Sequence, residues 1–161
     1  MNEVIISIKP SYVVNFLSGE KSVEIRNRSV RLTSGSRLWI YSTLPKGCIE
    51  AVAQVRKVEV GSPSIIWERY NESLALSRST YTRYVNGSSK VSAILVGRIW
   101  KLPVDLSLSM LRSHIPDFHP PQFLRYMADS DPLFTGIVSL LYALSDSNYL
   151  QTIGIKQKPA A

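Results

Sequence analysis

Apolar residues in the first hundred positions follow, in turn, the periods of short strands and of amphipathic helices. Alternating or continuous apolar runs predict strands at residues 4–8, 22–28, 37–42, 49–55 and 91–100. Apolar residues spaced three and four apart predict helices that begin at Pro10, at Ser62 with Pro63, and at Ser77. The order predicts an α/β chain of the α+β kind, in which a helical insertion interrupts a series of strands.

The last third of the chain has a different pattern. Prolines divide residues 103–132 into short segments, for which we expect irregular structure. Residues 133–144 then form a wide apolar helical stripe of about three turns, too short to cross a membrane. We expect this helix to pack on the domain, with a contact between two chains as the alternative. The predicted division is a domain at residues 1–130, with a helix and a loose tail packed on it at residues 131–161.

Charge separates the same two regions. Residues 1–110 hold 15 basic and 8 acidic side chains, whereas residues 111–161 hold four of each, so the net charge of +7 belongs to the first region. A basic surface favours polyanionic partners such as nucleic acids, and a surface kept basic for solubility is the alternative. One cysteine, Cys48, and the lack of an apolar leader or membrane span predict a soluble protein of the reducing cytoplasm that binds no membrane.

The most concentrated candidate chemistry lies where the first helix leads into the second strand. Gly19 permits a tight helix exit, Lys21 stands at the strand entrance, and Glu24, Arg26 and Arg28 share one face of the strand. Guanidinium groups stabilise the ionised form of a neighbouring carboxylate and bind phosphate through two parallel hydrogen bonds. The segment therefore indicates an anion-binding site, and a solvent-exposed strand with ordinary ion pairs is the alternative.

Other chemical signals are weaker. The sequence contains no phosphate-binding glycine loop, paired-histidine metal helix or serine-nucleophile elbow. His114 and His119 flank Asp117 in a proline-rich region, which is a poor basis for a metal site, and we expect neither a metal nor a cofactor. Trp39 and Tyr41 alternate with apolar residues along one strand and are the better candidates for stacking on a base.

The spacing of Gly19, Lys21, Glu24 and Arg26 resembles the Gly-x-Lys-x-x-Glu-x-Arg signature of the ASCH domain, a branch of the PUA-like superfamily. Other segments between about residues 4 and 127 are similar to family segments in the same order: IISIKPSYVVNFLSG, SRLWIYST, GSPSIIWERY, LSRSTYTRYVNG and PPQFLRY. The resemblance implies a small mixed β-barrel decorated with helices. It leaves the apolar helix at residues 133–144 outside the family region.

The resemblance also implies a ligand cleft and its contents. Members of the family are inferred to bind RNA or other nucleic acid, so RNA or a nucleotide is the expected partner and a role in transcription or RNA metabolism is expected. By match to the family motif, Lys21, Glu24 and Arg26 would line the cleft. Residues at less specific family positions, together with Arg28 from the same strand, complete the predicted binding set: Lys9, Arg28, Tyr41, Ser42, Thr43, Gln122 and Arg125.

Two enzymatic alternatives follow from the same resemblance. Some compact members are amidohydrolases that act on acetylated cytidine, with a lysine base matching Lys21 and a threonine nucleophile at the position of Glu24. Because a glutamate stands where that nucleophile is needed, a nucleic-acid-binding module is the favoured prediction. If the cleft is catalytic on this or another modified nucleoside, Lys21 and Glu24 are the candidate residues. Ribonuclease activity, which in other members depends on a metal, is the second enzymatic alternative.

Overall fold

The computed structural model describes residues 2–157, which form six strands and six helices. The strands are β1 (Glu3–Ile8), β2 (Val23–Arg26), β3 (Arg37–Ser42), β4 (Cys48–Gly61), β5 (Val91–Ser107) and β6 (Leu124–Met127). The helices are α1 (Pro10–Ser18), α2 (Pro63–Leu74), α3 (Arg78–Val85), α4 (Leu108–His114), α5 (Pro132–Leu144) and α6 (Ser147–Thr152). The alternating order confirms the predicted α+β class.

All six strands belong to one mixed sheet in the order β2-β5-β4-β3-β1-β6. β1 and β3 run parallel and the other neighbouring pairs are antiparallel. Register shifts interrupt the long β4–β5 pair at three places, and such bulges increase the twist and bending of a sheet. The result is a half-barrel with helices, as the predicted PUA-like fold requires. Among the described strands, β2 and β6 are the two edges.

The two faces of the central strands are both buried, by different parts of the chain. Val4, Ile6, Leu38 and Ile40 point to one side and form a core with α1. Their strand neighbours point to the other side, where α4, α5 and α6 cover them. Two buried aliphatic residues of α5, Ile137 and Leu141, belong to this second core, which we call the α5 core. The apolar face of α5 therefore packs against the sheet of its own chain. No helix within residues 2–157 is both long and apolar enough to cross a membrane.

Local signals in the sequence place the helix ends. Gly19 adopts a left-handed conformation with φ of 87°, and its N–H donates to the Phe16 carbonyl at 3.3 Å, which ends α1 and turns the chain toward β2. The Ser62 and Ser77 hydroxyls accept hydrogen bonds from the Ile65 and Thr80 N–H groups and cap α2 and α3. These three positions agree with the sequence prediction, and the turn at Gly19 places Lys21 beside the start of β2.

Elsewhere the structure differs from the predicted elements. The strand expected at residues 49–55 extends to Gly61 because β4 remains paired with β5, and its Glu50 is 2% exposed. Residues 103–132, expected to be irregular, include the end of β5, α4 and β6, and are irregular only at residues 115–123 and 128–131. Ile155, in the region expected to be a loose tail, is buried and its N–H donates to the Leu150 carbonyl at 2.8 Å. The remainder of that predicted tail, residues 158–161, lies outside the described residues.

Candidate functional site

A cleft of about 520 Å³ opens beside β2, between the end of β1 and helix α3. Three of its lining residues, Lys21, Glu24 and Arg26, come from the motif that the sequence analysis singled out. β2 brings Glu24 and Arg26 to the same side because alternate residues of a strand share a face, while Val23 and Ile25 pack against α2 and α3. The motif is therefore buried on both faces, which rules out the alternative of a solvent-exposed strand.

Lys21 is buried, with an exposed fraction of 2%. Its Nζ donates to the carbonyls of Val23 at 2.8 Å and Leu74 at 2.9 Å and lies 3.4 Å from Oε2 of Glu24. Burial lowers the pKa of Lys21, the Glu24 carboxylate partly offsets that effect, and Arg26 adds to it. Three acceptors match the three N–H donors of an ammonium group, so Lys21 is held as a cation that fixes Glu24 in place.

Arg26 holds the other oxygen of the Glu24 carboxylate. Its Nη2 lies 2.9 Å from Oε1 of Glu24 and also donates to the Ser7 carbonyl at 2.9 Å. Its Nη1 reaches the Phe123 carbonyl at 3.5 Å, and the guanidinium carbon lies 4.8 Å from the centre of the Phe123 ring. Glu24 is 8% exposed and Arg26 6% exposed. The carboxylate is thus held between two cations, which fixes its position in the cleft.

The opposite wall of the cleft comes from residues that the sequence analysis did not assign to the site. α3 contributes Thr80, Arg83 and Tyr84, and α1 contributes Tyr12. The α3 residues follow one another at intervals of three and one, on a helix whose Tyr81 and Val85 are buried. This spacing indicates a helical face that carries a cation and a phenol outside the core. It is the sequence pattern from which these site residues could have been predicted. Burial raises the pKa of Tyr84, so its phenol remains protonated at neutral pH.

The remaining predicted residues fall into two groups. Lys9 lines the cleft and is exposed, and the Arg28 guanidinium carbon lies 5.8 Å from the Phe123 ring at the same end of the sheet. Gln122 is exposed but does not line the cleft. Arg125 binds both oxygens of Asp131, at 3.2 and 3.1 Å, and Asp131 caps α5. Arg125 therefore links β6 to α5 and does not line the cleft.

Tyr41, Ser42 and Thr43 are not in the cleft. Tyr41 is 2% exposed and its ring lies 6.4 Å from that of Phe118 in the α5 core. This corrects the expectation that Tyr41 stacks on a base. Trp39 is fully buried in the same core and donates from Nε1 to Oε2 of Glu3 at 2.7 Å. Ser42 is also fully buried, so neither aromatic ring nor this hydroxyl is presented to a ligand.

The composition of the cleft does not suit a divalent metal. Glu24 is the one carboxylate among its described lining residues, and its two oxygens are already held by Lys21 and Arg26. Divalent cations such as Mg²⁺ and Ca²⁺ need several oxygen ligands, whereas Lys9 and Arg83 add positive charge here. In residues 2–157, no group of three or more His, Cys, Asp or Glu side chains could hold a metal ion.

Comparison with known proteins agrees with this geometry. A family model described as a domain of unknown function (DUF365) matches residues 1–109. An ASCH domain-containing ribonuclease of Zymomonas mobilis is 30% identical over 125 residues, which cover 78% of this chain and 84% of the relative. The chain belongs to the ASCH-domain family, and most of it matches the DUF365 model.

Solved structures support the same assignment. The crystal structure of ASCH from Zymomonas mobilis superposes with a TM-score of 0.78 at 29% identity, over 86% of this chain and 94% of that one. Human THYN1, solved in complex with DNA containing 5-methylcytosine, gives a TM-score of 0.54 at 11% identity, over 88% of this chain and 98% of that one. The second likeness shows a shared PUA-like fold. The ASCH domain here thus has the predicted fold, and helices from the last third of the chain cover one face of its sheet.

Proposed function

We propose that this ASCH-domain protein is a ribonuclease and that its active site is the cleft around Lys21, Glu24 and Arg26. The observation on which the proposal depends is the buried Glu24 carboxylate, held by two cations in a cleft that is otherwise positively charged. A carboxylate repels phosphate, so it would lower the affinity of a surface whose only role was to bind nucleic acid. Its presence favours a role in proton transfer. The ribonuclease from Zymomonas mobilis aligns with this chain over 84% of its own length, and this similarity supports a ribonuclease over a binding module.

RNA carries its own nucleophile, the ribose 2′-hydroxyl. In the proposed reaction the Glu24 carboxylate accepts the 2′-hydroxyl proton while that oxygen attacks the neighbouring phosphorus. The bond from phosphorus to the 5′-oxygen breaks, and the leaving 5′-oxygen takes a proton from the Tyr84 phenol, which is protonated at neutral pH. The products are a 2′,3′-cyclic phosphate and a 5′-hydroxyl. Proton exchange with water returns Glu24 and Tyr84 to their starting states.

The cations of the cleft have two distinct tasks. Lys9 and Arg83 line the cleft and neither is in an ion pair within residues 2–157, so they are available to the phosphate oxygens on which charge accumulates. Lys21 and Arg26 instead hold the two carboxylate oxygens of Glu24 and are positioning residues. With its three donors engaged by two carbonyls and Glu24, Lys21 has no free lone pair with which to act as a base.

The proposed reaction is tested with an RNA oligonucleotide and a DNA oligonucleotide of the same sequence. The protein should cut the RNA and leave 2′,3′-cyclic phosphate and 5′-hydroxyl ends, which mass spectrometry of the fragments identifies. The DNA and a 2′-O-methyl RNA should remain intact because they lack the nucleophile. Cleavage of the DNA, or products with a 5′-phosphate, would overturn the proposed mechanism. Binding of RNA without cleavage would leave a nucleic-acid-binding module.

A further inference from the structure

A second cleft of about 510 Å³ lies at the opposite end of β1. Glu3 of β1 lines it, whereas Ser7 and Ile8 line the first cleft. Ser29, Arg31 and Tyr126 are among the other residues of the second cleft. The four residues from Ser7 to Glu3 span roughly 13 Å of extended strand. The two clefts are therefore separated by about the length of four stacked nucleotides at ~3.4 Å each.

Two chain segments run side by side from the first cleft to the second. Arg26 bonds the Phe123 carbonyl, and the guanidinium carbons of Arg26 and Arg28 lie 4.8 and 5.8 Å from the Phe123 ring. Three residues beyond Arg28 and Phe123, the Arg31 N–H donates to the Tyr126 hydroxyl at 2.6 Å. These contacts advance in step, so residues 26–31 and 123–126 form one continuous strip between the clefts. We call it the β6 strip.

The exposed groups of the β6 strip are cations and an aromatic ring. Arg28 and Arg31 are exposed, and neither forms an ion pair within residues 2–157. The Tyr126 side chain is 43% exposed. Single-stranded nucleic acids are bound in this manner, with cations along the phosphates and bases stacked on aromatic side chains. The Glu3 carboxylate in the second cleft is engaged by Trp39 and Arg37 and is 5% exposed.

We propose that the β6 strip binds the single-stranded RNA that flanks the cleaved bond, with Arg28 and Arg31 on phosphates and a base stacked on Tyr126. The nature of the ligand rests on the proposed ribonuclease function. The RNA that uses the strip must then be long enough to reach both clefts, about four nucleotides or more. A base-paired helix buries the faces of its bases in stacking, so it cannot offer one to Tyr126.

The test compares the binding of a short and a long RNA. Fluorescence anisotropy measures the affinity of a dinucleotide and of a decanucleotide, both 2′-O-methylated so that neither is cut. In Tyr126→Leu the advantage of the decanucleotide over the dinucleotide should fall about tenfold, as expected for the loss of one stacked base. In Arg31→Gln the slope of log affinity against log salt for the decanucleotide should fall by about one phosphate contact.

Tyr149→Leu is the matched control. Tyr149 is 40% exposed and its hydroxyl donates to the Lys101 carbonyl at 2.9 Å, so it has the same exposure and one backbone hydrogen bond, but it lies on α6. An equal loss in Tyr149→Leu, no loss in Tyr126→Leu, or a duplex bound as tightly as the single strand would overturn the proposal. Because the ligands are uncleavable, a length-dependent affinity that Tyr126→Leu removes supports the strip even if no RNA is cut. Conversely, if RNA is cut but the affinity does not increase with RNA length, the ribonuclease function is supported and the proposed role of the β6 strip is wrong.

Discussion

The Arg26 guanidinium of β2 donates to the backbone carbonyl of Ser7 in β1 at 2.9 Å, although β2 and β1 are not neighbours in the sheet. It also reaches the Phe123 carbonyl just before β6, the opposite edge strand. The gap between the two edges of the half-barrel is therefore bridged by a side chain that also holds Glu24. The same residue stabilises the fold and positions the carboxylate.

Replacing Arg26 with lysine should expose both roles. A lysine has one nitrogen and cannot reach the Glu24 carboxylate and two carbonyls in the planar arrangement of a guanidinium. We expect the free energy of unfolding to fall by about 2 kcal/mol, the value of one or two hydrogen bonds to a charged group. Urea unfolding followed by circular dichroism measures this. The control is Arg28→Lys, which changes an exposed residue and should stay within ~0.5 kcal/mol of the parent. Equal stability of the two variants would contradict the bridging role.

Lys21 gives a prediction about pH. Burial lowers its pKa in the folded protein, so between that value and the ordinary value of 10.5 the unfolded chain binds more protons than the native one. The Lys21 contribution to stability therefore increases as pH rises through the window below 10.5. Lys21→Met lacks this titration, and the stability of the parent relative to Lys21→Met should rise from pH 8 to pH 10. Urea unfolding across this range measures the difference.

The control for that experiment is Lys90→Met, because Lys90 is exposed. Its stability difference from the parent should be constant over the same range of pH. A constant difference for Lys21→Met as well would mean that the buried ammonium does not titrate differently in the two states, and would contradict the account of Lys21.

Glu50 is another buried carboxylate, outside the cleft and held by a lysine of the turn before β4 and a lysine of β5. Lys46 and Lys101 both bind its Oε2, the latter at 2.9 Å. Burial alone would raise the pKa of Glu50, but the hydrogen bonds from Lys46 and Lys101 outweigh it and lower the pKa below 4.5. The native state thus binds fewer protons than the unfolded chain. The Glu50 contribution to stability is present above pH 4.5 and is lost as pH falls below it.

Glu50→Gln should therefore be less stable than the parent by about 1–3 kcal/mol at pH 7, since two lysines lose their anion while remaining partly in water. The difference should shrink as pH falls below 4.5, which thermal or urea unfolding at pH 7 and pH 3.5 would show. The matched control, Glu68→Gln, alters an exposed glutamate of α2 and should change stability by less than ~0.5 kcal/mol. A Glu50→Gln penalty that persists at low pH would contradict the assignment of the penalty to the ionised carboxylate.

The central motif could be predicted because its geometry is local. Glu24 and Arg26 are two residues apart on a strand, so strand periodicity places their side chains on one face, and the turn at Gly19 places Lys21 two residues before that strand. The helix ends at Gly19, Ser62 and Ser77 were likewise readable, because a left-handed glycine and a capping serine act on adjacent residues.

The rest of the site depends on contacts between distant segments. Tyr41 and Ile40 are both apolar enough to be buried, and the sequence does not tell which of them faces the ligand. The answer depends on the α5 core, to which residues more than 70 positions later, such as Phe118 and Ile137, contribute. Arg83 and Tyr84 enter the cleft because α3 packs across β2, a contact that no local pattern encodes. The burial of Glu50 likewise depends on a distant residue, because one of its two lysine partners, Lys101, comes from β5.

The most direct test of the account is the rate of RNA cleavage by Glu24→Gln. Glutamine keeps the size of the side chain and one oxygen acceptor but cannot accept the 2′-hydroxyl proton, so kcat should fall about 10²- to 10⁴-fold while binding of uncleavable RNA is retained. Glu20→Gln, prepared in parallel, alters an exposed glutamate four residues earlier and should cleave at the parent rate. The account predicts cleavage by the parent and by Glu20→Gln and a strong loss in a folded Glu24→Gln. Cleavage by Glu24→Gln at the parent rate would show that Glu24 is not the base and that the active site lies elsewhere.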